Sequence, residues 1–121
     1  MIDTEEAPAA VFAYYPRLQR VKEHVDQHLD EDLSLGTAAR IAGLEEKYFS
    51  AFFRRKTGIC FRDWISRSRV RRAAEMMKAE DCSITCIALA VGFQDLRTFE
   101  RAFQRCMGLT PLAYKKAVRP R

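Results

Sequence analysis

Leu35, Ala38, Ala39, Ile41, Ala42, Gly43 and Leu44 are matched forty-nine residues later by Ile84, Ile87, Ala88, Ala90, Val91, Gly92 and Phe93. Beyond the glycine the offset becomes fifty, and Phe49, Phe53 and Gly58 return as Phe99, Phe103 and Gly108. A period of this size means that one supersecondary unit occurs twice, and a chain of 121 residues holds little beyond two copies and what joins them. Each copy reads as a short helix, a glycine-bearing turn and a longer helix with two Phe four residues apart on one face. The second copy has one extra residue in its turn.

The rest of the chain is helical in pattern too, and no period-two alternation appears, which predicts an all-α fold of about seven helices. Pro16 suits a first helical position, and Leu18, Val21, Val25 and Leu29 then form an apolar face that ends at Asp30-Glu31-Asp32. Ser34 caps a short helix that stops at Gly43. A longer helix follows from about Glu45 to Lys56, with Tyr48, Phe49, Phe52 and Phe53 expected on its core side. Phe61 to Ala79 reads as one long helix, packing through Phe61, Trp64, Ile65, Val70, Ala73 and Met77. The second copy starts after Ser83, turns at Gly92, restarts at Asp95 and ends near Gly108. Thr110-Pro111 then opens a last short helix carrying Leu112 and Tyr114. The expected organisation is a flexible N-terminal arm over 1–15, a first subdomain over 16–59, a linker helix over 60–80, a second subdomain over 81–117 and a basic tail over 118–121.

Each copy has the form of a helix-turn-helix, whose second helix enters a DNA major groove while the first braces it. A linker helix of nineteen residues is nearly 30 Å long, close to the ~34 Å of one DNA turn. Two reading helices on one chain would then meet successive major-groove segments without dimerisation.

Charge supports a polyanionic partner. Residues 1–46 carry four Lys/Arg against ten Asp/Glu, a net of −6, whereas residues 47–121 carry seventeen against six, a net of +11. A basic surface of this kind draws in phosphates and raises association rates.

These residues resemble the DNA-binding domain of the AraC/XylS family of bacterial transcription regulators, over roughly residues 17–116. The most specific stretch is Ile84-x-x-Ile87-Ala88-x-x-x-Gly92-Phe93-x-Asp95-x-x-x-Phe99-x-Arg101-x-Phe103, followed by Gly108-x-Thr110-Pro111-x-x-Tyr114. Leu33-Ser34-Leu35, Gly43-Leu44, Tyr48-Phe49, Phe53-x-x-x-Thr57-Gly58 and Arg69-x-x-x-Ala73 add to it. The resemblance implies a seven-helix fold with two reading helices, and a role at promoters as an activator that contacts RNA polymerase. Most members attach this domain to a sensing or dimerising domain. This chain is similar to the small stand-alone members, with a piece of a longer regulator as the other reading.

On the first reading helix, Lys47, Ser50 and Ala51 match the family's base-contact positions. Lys47 suits guanine O6/N7 and Ser50 either kind of base or a phosphate, whereas Ala51 offers only a methyl where the family often has a long polar or basic side chain. On the second, Leu96, Arg97, Glu100 and Arg101 occupy the corresponding positions, with Arg101 the leading candidate because a guanidinium grips with two donors. Arg54, Arg55, Lys56, Arg105, Lys115 and Lys116 are the expected phosphate contacts. Arg69 is expected to be structural and partly buried.

Other chemistries are weaker. No Ser/His/Asp arrangement, phosphate-binding glycine loop or HExxH motif occurs, so no enzyme activity and no cofactor are expected. His24 and His28 lie four apart with no third metal ligand nearby, and read as surface histidines. Cys86 and Cys106 fall on apolar stripes and are expected in the core, Cys82 exposed; a redox role for Cys82 with Cys86 is the lesser reading. No apolar run reaches the ~18 residues of a membrane span and no signal-peptide layout is present, which gives a cytoplasmic expectation. The expected partner is promoter double-stranded DNA, bound by a monomer. The alternative is a protein-interaction module that keeps the fold and binds DNA weakly.

Overall fold

The structure is a computed structural model in which residues 9–119 are described. The described residues form eight helices and no strand. They are α1 (Ala9–Tyr14), α2 (Pro16–Gln27), α3 (Leu35–Ala42), α4 (Glu46–Thr57), α5 (Phe61–Ala79), α6 (Ile84–Ala90), α7 (Leu96–Met107) and α8 (Pro111–Val118). They fall into two compact units, residues 9–65 and 66–119.

In the first unit, Leu18, Val21 and Val25 of α2, Ala38, Ala39 and Ala42 of α3, and Phe49 and Phe53 of α4 are buried together. Small alanines on α3 let its backbone approach its neighbours closely, and the phenylalanines fill the volume that remains. Ser34 caps α3 by accepting from the Thr37 amide at 3.1 Å. At the other end Arg17 Nη1 donates to the Ala42 carbonyl at 2.6 Å and Arg20 Nε to that of Ile41 at 3.3 Å. The cations of α2 thus satisfy carbonyls that the end of α3 leaves open, which fixes how these two helices meet.

The second unit repeats the device. Val70 and Ala74 of α5 take the places of Val21 and Val25, so the offset of forty-nine extends back one helix further than the motif. Ile87, Ala88 and Val91 stand for the α3 alanines, and Phe99 and Phe103 for the two phenylalanines. The turns match bond for bond: the Leu44 amide donates to the Ala39 carbonyl at 2.9 Å, and the Phe93 amide to the Ala88 carbonyl at 3.0 Å. Gly43 and Gly92 lie in each turn at φ 75° and 106°, a region that residues with a Cβ rarely enter. Helix α5 supplies both cores, with Phe61, Trp64 and Ile65 in the first and Val70, Ala73, Ala74 and Met77 in the second.

Several expectations need correction. Within the arm expected over 1–15, residues 9–14 form α1, whose Phe12 is buried against Trp64 and Phe53 with ring centroids 5.1 and 6.1 Å apart. Residues 1–8 lie outside the described residues. The division into units falls within α5, between Ile65 and Ser66, so the helix expected as a linker over 60–80 contributes residues to both units. In the basic tail expected over 118–121, Val118 packs on the second core and Arg119 Nη1 donates to the Lys78 carbonyl at 3.0 Å; residues 120 and 121 lie outside the described residues. Tyr48, expected on the core side of its helix, is exposed at 52%, as is Leu112 at 53%. Both sit about a quarter turn off the buried stripe of their helices, where an apolar residue type does not by itself earn burial. Cys86 is exposed, whereas Cys82 packs partly against the second core. Arg69 is half-buried, as expected of a structural arginine.

Candidate nucleic-acid interface

Helices α4 and α7 are each twelve residues long, start fifty residues apart and end at Gly58 and Gly108 with φ of 82° and 83°. Each puts two phenylalanines into its own core, which turns the opposite side outward. On α4 that side carries Lys47, Ser50, Ala51 and Arg54, spaced by three and four residues; Ser50 is half-buried and the others are exposed. Arg55 is exposed beside them. On α7 the same positions hold Arg97, Glu100, Arg101 and Gln104, all exposed, with Leu96 at 38% and Arg105 also exposed. Lys116, on α8, is exposed as well.

Helices α4 and α7 are tied down differently. Asp95 caps α7: its Oδ1 accepts from the Thr98 amide at 2.8 Å and its Oδ2 from the Thr98 hydroxyl at 3.1 Å. These bonds, with the Arg101 guanidinium adding a smaller attraction, hold the Asp95 carboxyl below the usual aspartate range. Glu45 stands at the N-cap of α4 without a side-chain cap bond. At the far end of α4, the Thr57 hydroxyl donates to the Phe53 carbonyl at 2.7 Å and accepts from the Ile59 amide at 3.3 Å. Glu46 has a structural place, its Oε2 lying where a Cβ on Gly36 would come within 2.9 Å. Glycine therefore lets this carboxylate approach the positive end of α3.

Two of the expected phosphate contacts are engaged within the protein. The Lys56 ammonium lies over the Tyr15 ring, 5.1 Å from its centroid, and 6.0 Å from that of Phe52. Lys115 is half-buried; its Nζ donates to the Cys82 carbonyl at 2.9 Å and pairs with Asp81 at 3.5 Å, which holds α8 to the loop before α6. Conversely, Gln104 and Tyr48 sit on exposed ground that the sequence reading left out. Gln104 is the fifty-residue counterpart of Arg54, so the repeat itself contained the signal; Tyr48 was masked by its aromatic character.

The other candidate chemistries find partners of a structural kind. The rings of His24 and His28 stack at 4.2 Å, and His28 Nδ1 lies 2.8 Å from the His24 carbonyl, closing the end of α2. Cys82 Sγ donates to Glu80 at 3.0 Å; that bond first, then burial and the nearby carboxylates, raises the thiol above its ordinary value and disfavours a reactive thiolate. No cluster of three or more His, Cys, Asp or Glu suited to a metal occurs among the described residues. No helix among them is long and apolar enough to cross a membrane.

Comparison with known proteins agrees with this geometry. A helix-turn-helix domain family matches residues 38–117. The regulatory protein PocR of Salmonella typhimurium is 32% identical over 102 residues, covering 84% of this chain and 34% of that protein. The transcriptional activator Btr of Bacillus subtilis is 28% identical over 99 residues, covering 82% of this chain and 19% of Btr. The chain thus spans about a third of one curated relative and about a fifth of the other. Among solved structures, the DNA-binding domain of the global transcriptional factor AdpA, in complex with a target DNA, superposes with a TM-score of 0.77 at 28% identity, covering 85% of this chain and 96% of that one. With the duplicated unit, its matched turns and a family match across two thirds of its length, the chain belongs to the AraC-type helix-turn-helix family of transcription regulators.

Proposed function

We propose that the chain binds promoter double-stranded DNA as a monomer, reading one major-groove segment with α4 and an adjacent one with α7, and that it activates transcription through contact with RNA polymerase. The observation that carries this reading is the duplicated helix, whose apolar side is sunk in a core while its outer side offers Lys, Arg, Ser, Gln and Glu. Those side chains, at spacings of three and four, suit the hydrogen-bonding edges of bases. The base contacts proposed are Lys47, Ser50, Ala51, Leu96, Arg97, Glu100 and Arg101; Arg54, Arg55, Arg105 and Lys116 grip phosphate. Lys56 and Lys115 are left out because each already has an intramolecular role. AdpA, whose domain is captured on its target DNA, and Btr, described as an activator, support the reading by likeness.

Selection of bound duplexes from a random pool tests it. One bipartite site of ~20 bp, bound by one protein chain, is the expected result. A single short site, or no enrichment, overturns the two-segment reading. Transcription in vitro from a promoter carrying the selected site, with and without the protein, tests activation; an unchanged or lowered transcript level overturns that part.

A further inference from the structure

The two reading helices are copies of one another, so their differences, position by position, show how the work of recognition is divided. Lys47, Ser50, Ala51 and Arg54 on α4 stand where α7 has Arg97, Glu100, Arg101 and Gln104. Every member of the α7 set has a planar group with a defined hydrogen-bonding edge. A guanidinium fits guanine O6 and N7 with two donors, a carboxylate accepts from cytosine N4, and a carboxamide pairs with adenine N6 and N7. The α4 set has one such group, the Arg54 guanidinium in the last turn beside Arg55, and its other three members are less selective. An ammonium on a flexible stem is a point charge without a fork, a serine hydroxyl serves any base, and a methyl group meets only the thymine methyl. Ser50 is moreover half-buried, whereas Glu100 is exposed.

Anchoring differs in the same sense. Asp95 fixes the first turn of α7 through two bonds to Thr98. The corresponding turn of α4 has no side-chain cap, and its hydroxyl bonds are at the opposite end. Discrimination between bases depends on donors and acceptors held in place beforehand. A grip on phosphate tolerates more play, and Arg54 and Arg55 sit together on the exposed second half of α4.

From this we infer that α7 carries the base discrimination, through Arg97, Glu100, Arg101 and Gln104, while α4 serves chiefly to hold the duplex, with Ala51 giving a mild preference for thymine. The inference rests on the two-segment reading proposed above.

Selection with the wild-type protein and with Arg101→Ala and Ala51→Arg tests it; both positions are exposed, and circular dichroism checks that the helices are retained. In the wild-type site, one half is expected to hold at least three positions where a wrong base costs about tenfold in affinity, and the other half none above about fivefold. Arg101→Ala should relax one position of the strong half. Ala51→Arg should create a new preference of about tenfold in the weak half alone. Two halves of equal strength overturn the division, as does Ala51→Arg sharpening the strong half or Arg101→Ala weakening all sequences alike. An enriched bipartite site with equal halves leaves the DNA-reading function standing and removes only this inference. Absence of any enriched site removes both.

Discussion

Asp95 shows how one side chain can serve fold and site together. Its carboxylate caps α7 through two bonds to Thr98, which lower its pKa, with a smaller attraction from the Arg101 charge. A group with a depressed folded pKa contributes stability that is present above the unfolded value, about 3.9, and lost as pH falls through the folded value. Asn caps helices about as well as Asp but does not titrate. The difference in thermal midpoint between wild type and Asp95→Asn should therefore be flat above about pH 5 and change below about pH 4. Parallel curves down to pH 2 would show that the carboxylate is not the cap. Lys115 and Lys116 make a second pair of opposites, adjacent in sequence and different in duty. Lys115→Ala, which cuts the bond to the Cys82 carbonyl, should cost about 1 kcal/mol in urea unfolding, with the dependence of DNA affinity on salt unchanged. Lys116→Ala should do the reverse, leaving stability alone and making that dependence shallower by about 1.

Helix α1 is the element with the most to lose from a single substitution. Phe12 is its one buried residue, stacked on Trp64 and edge-on to Phe53. Phe12→Ala should cost about 3–5 kcal/mol in denaturant unfolding, against a few tenths for Tyr14→Ala, whose ring is largely exposed. Equal effects from the two would mean that α1 does not seal the core. This element was also the least legible in the sequence. Six residues with one inward side chain show no period, and no capping residue marks the start. Helices α2 to α8 were legible because Ser34, Ser83, Asp95 and Thr110 open four of them and Gly43, Gly58 and Gly108 close three. The candidate site was legible where the repeat was followed strictly. Gln104 follows from Arg54 by offset alone, while residue type alone puts Tyr48 in the core and says nothing of the intramolecular partners of Lys56 and Lys115. Whether a long cation faces solvent or a neighbouring ring or carbonyl depends on contacts that only the folded chain brings together, as Tyr15 with Lys56 shows.

For the molecule as a whole, each unit closes on its own core and shows one basic helix of the repeat, α4 or α7, while the acidic residues concentrate in the first forty-six positions. Within the first unit Glu23, Asp26, Asp30, Glu31 and Asp32 belong to α2 and the loop after it, so the cations of α4 are on a different element from most of the acid. Seven exposed cations on α4, α7 and α8 remain for the duplex once Lys56 and Lys115 are set aside: Lys47, Arg54, Arg55, Arg97, Arg101, Arg105 and Lys116. If all seven displace counterions, the logarithm of affinity should fall with the logarithm of salt at a slope of about −6, a loss of several thousandfold between 50 and 200 mM. Replacing Arg54 and Arg55 together by Ala should bring the slope to about −4.5 with the selected sequence unchanged, because phosphate contacts position the protein without reading bases. A wild-type slope near −1 would mean that the basic faces do not meet a phosphate backbone. The two units would then share the fold of a DNA reader without its electrostatic footing.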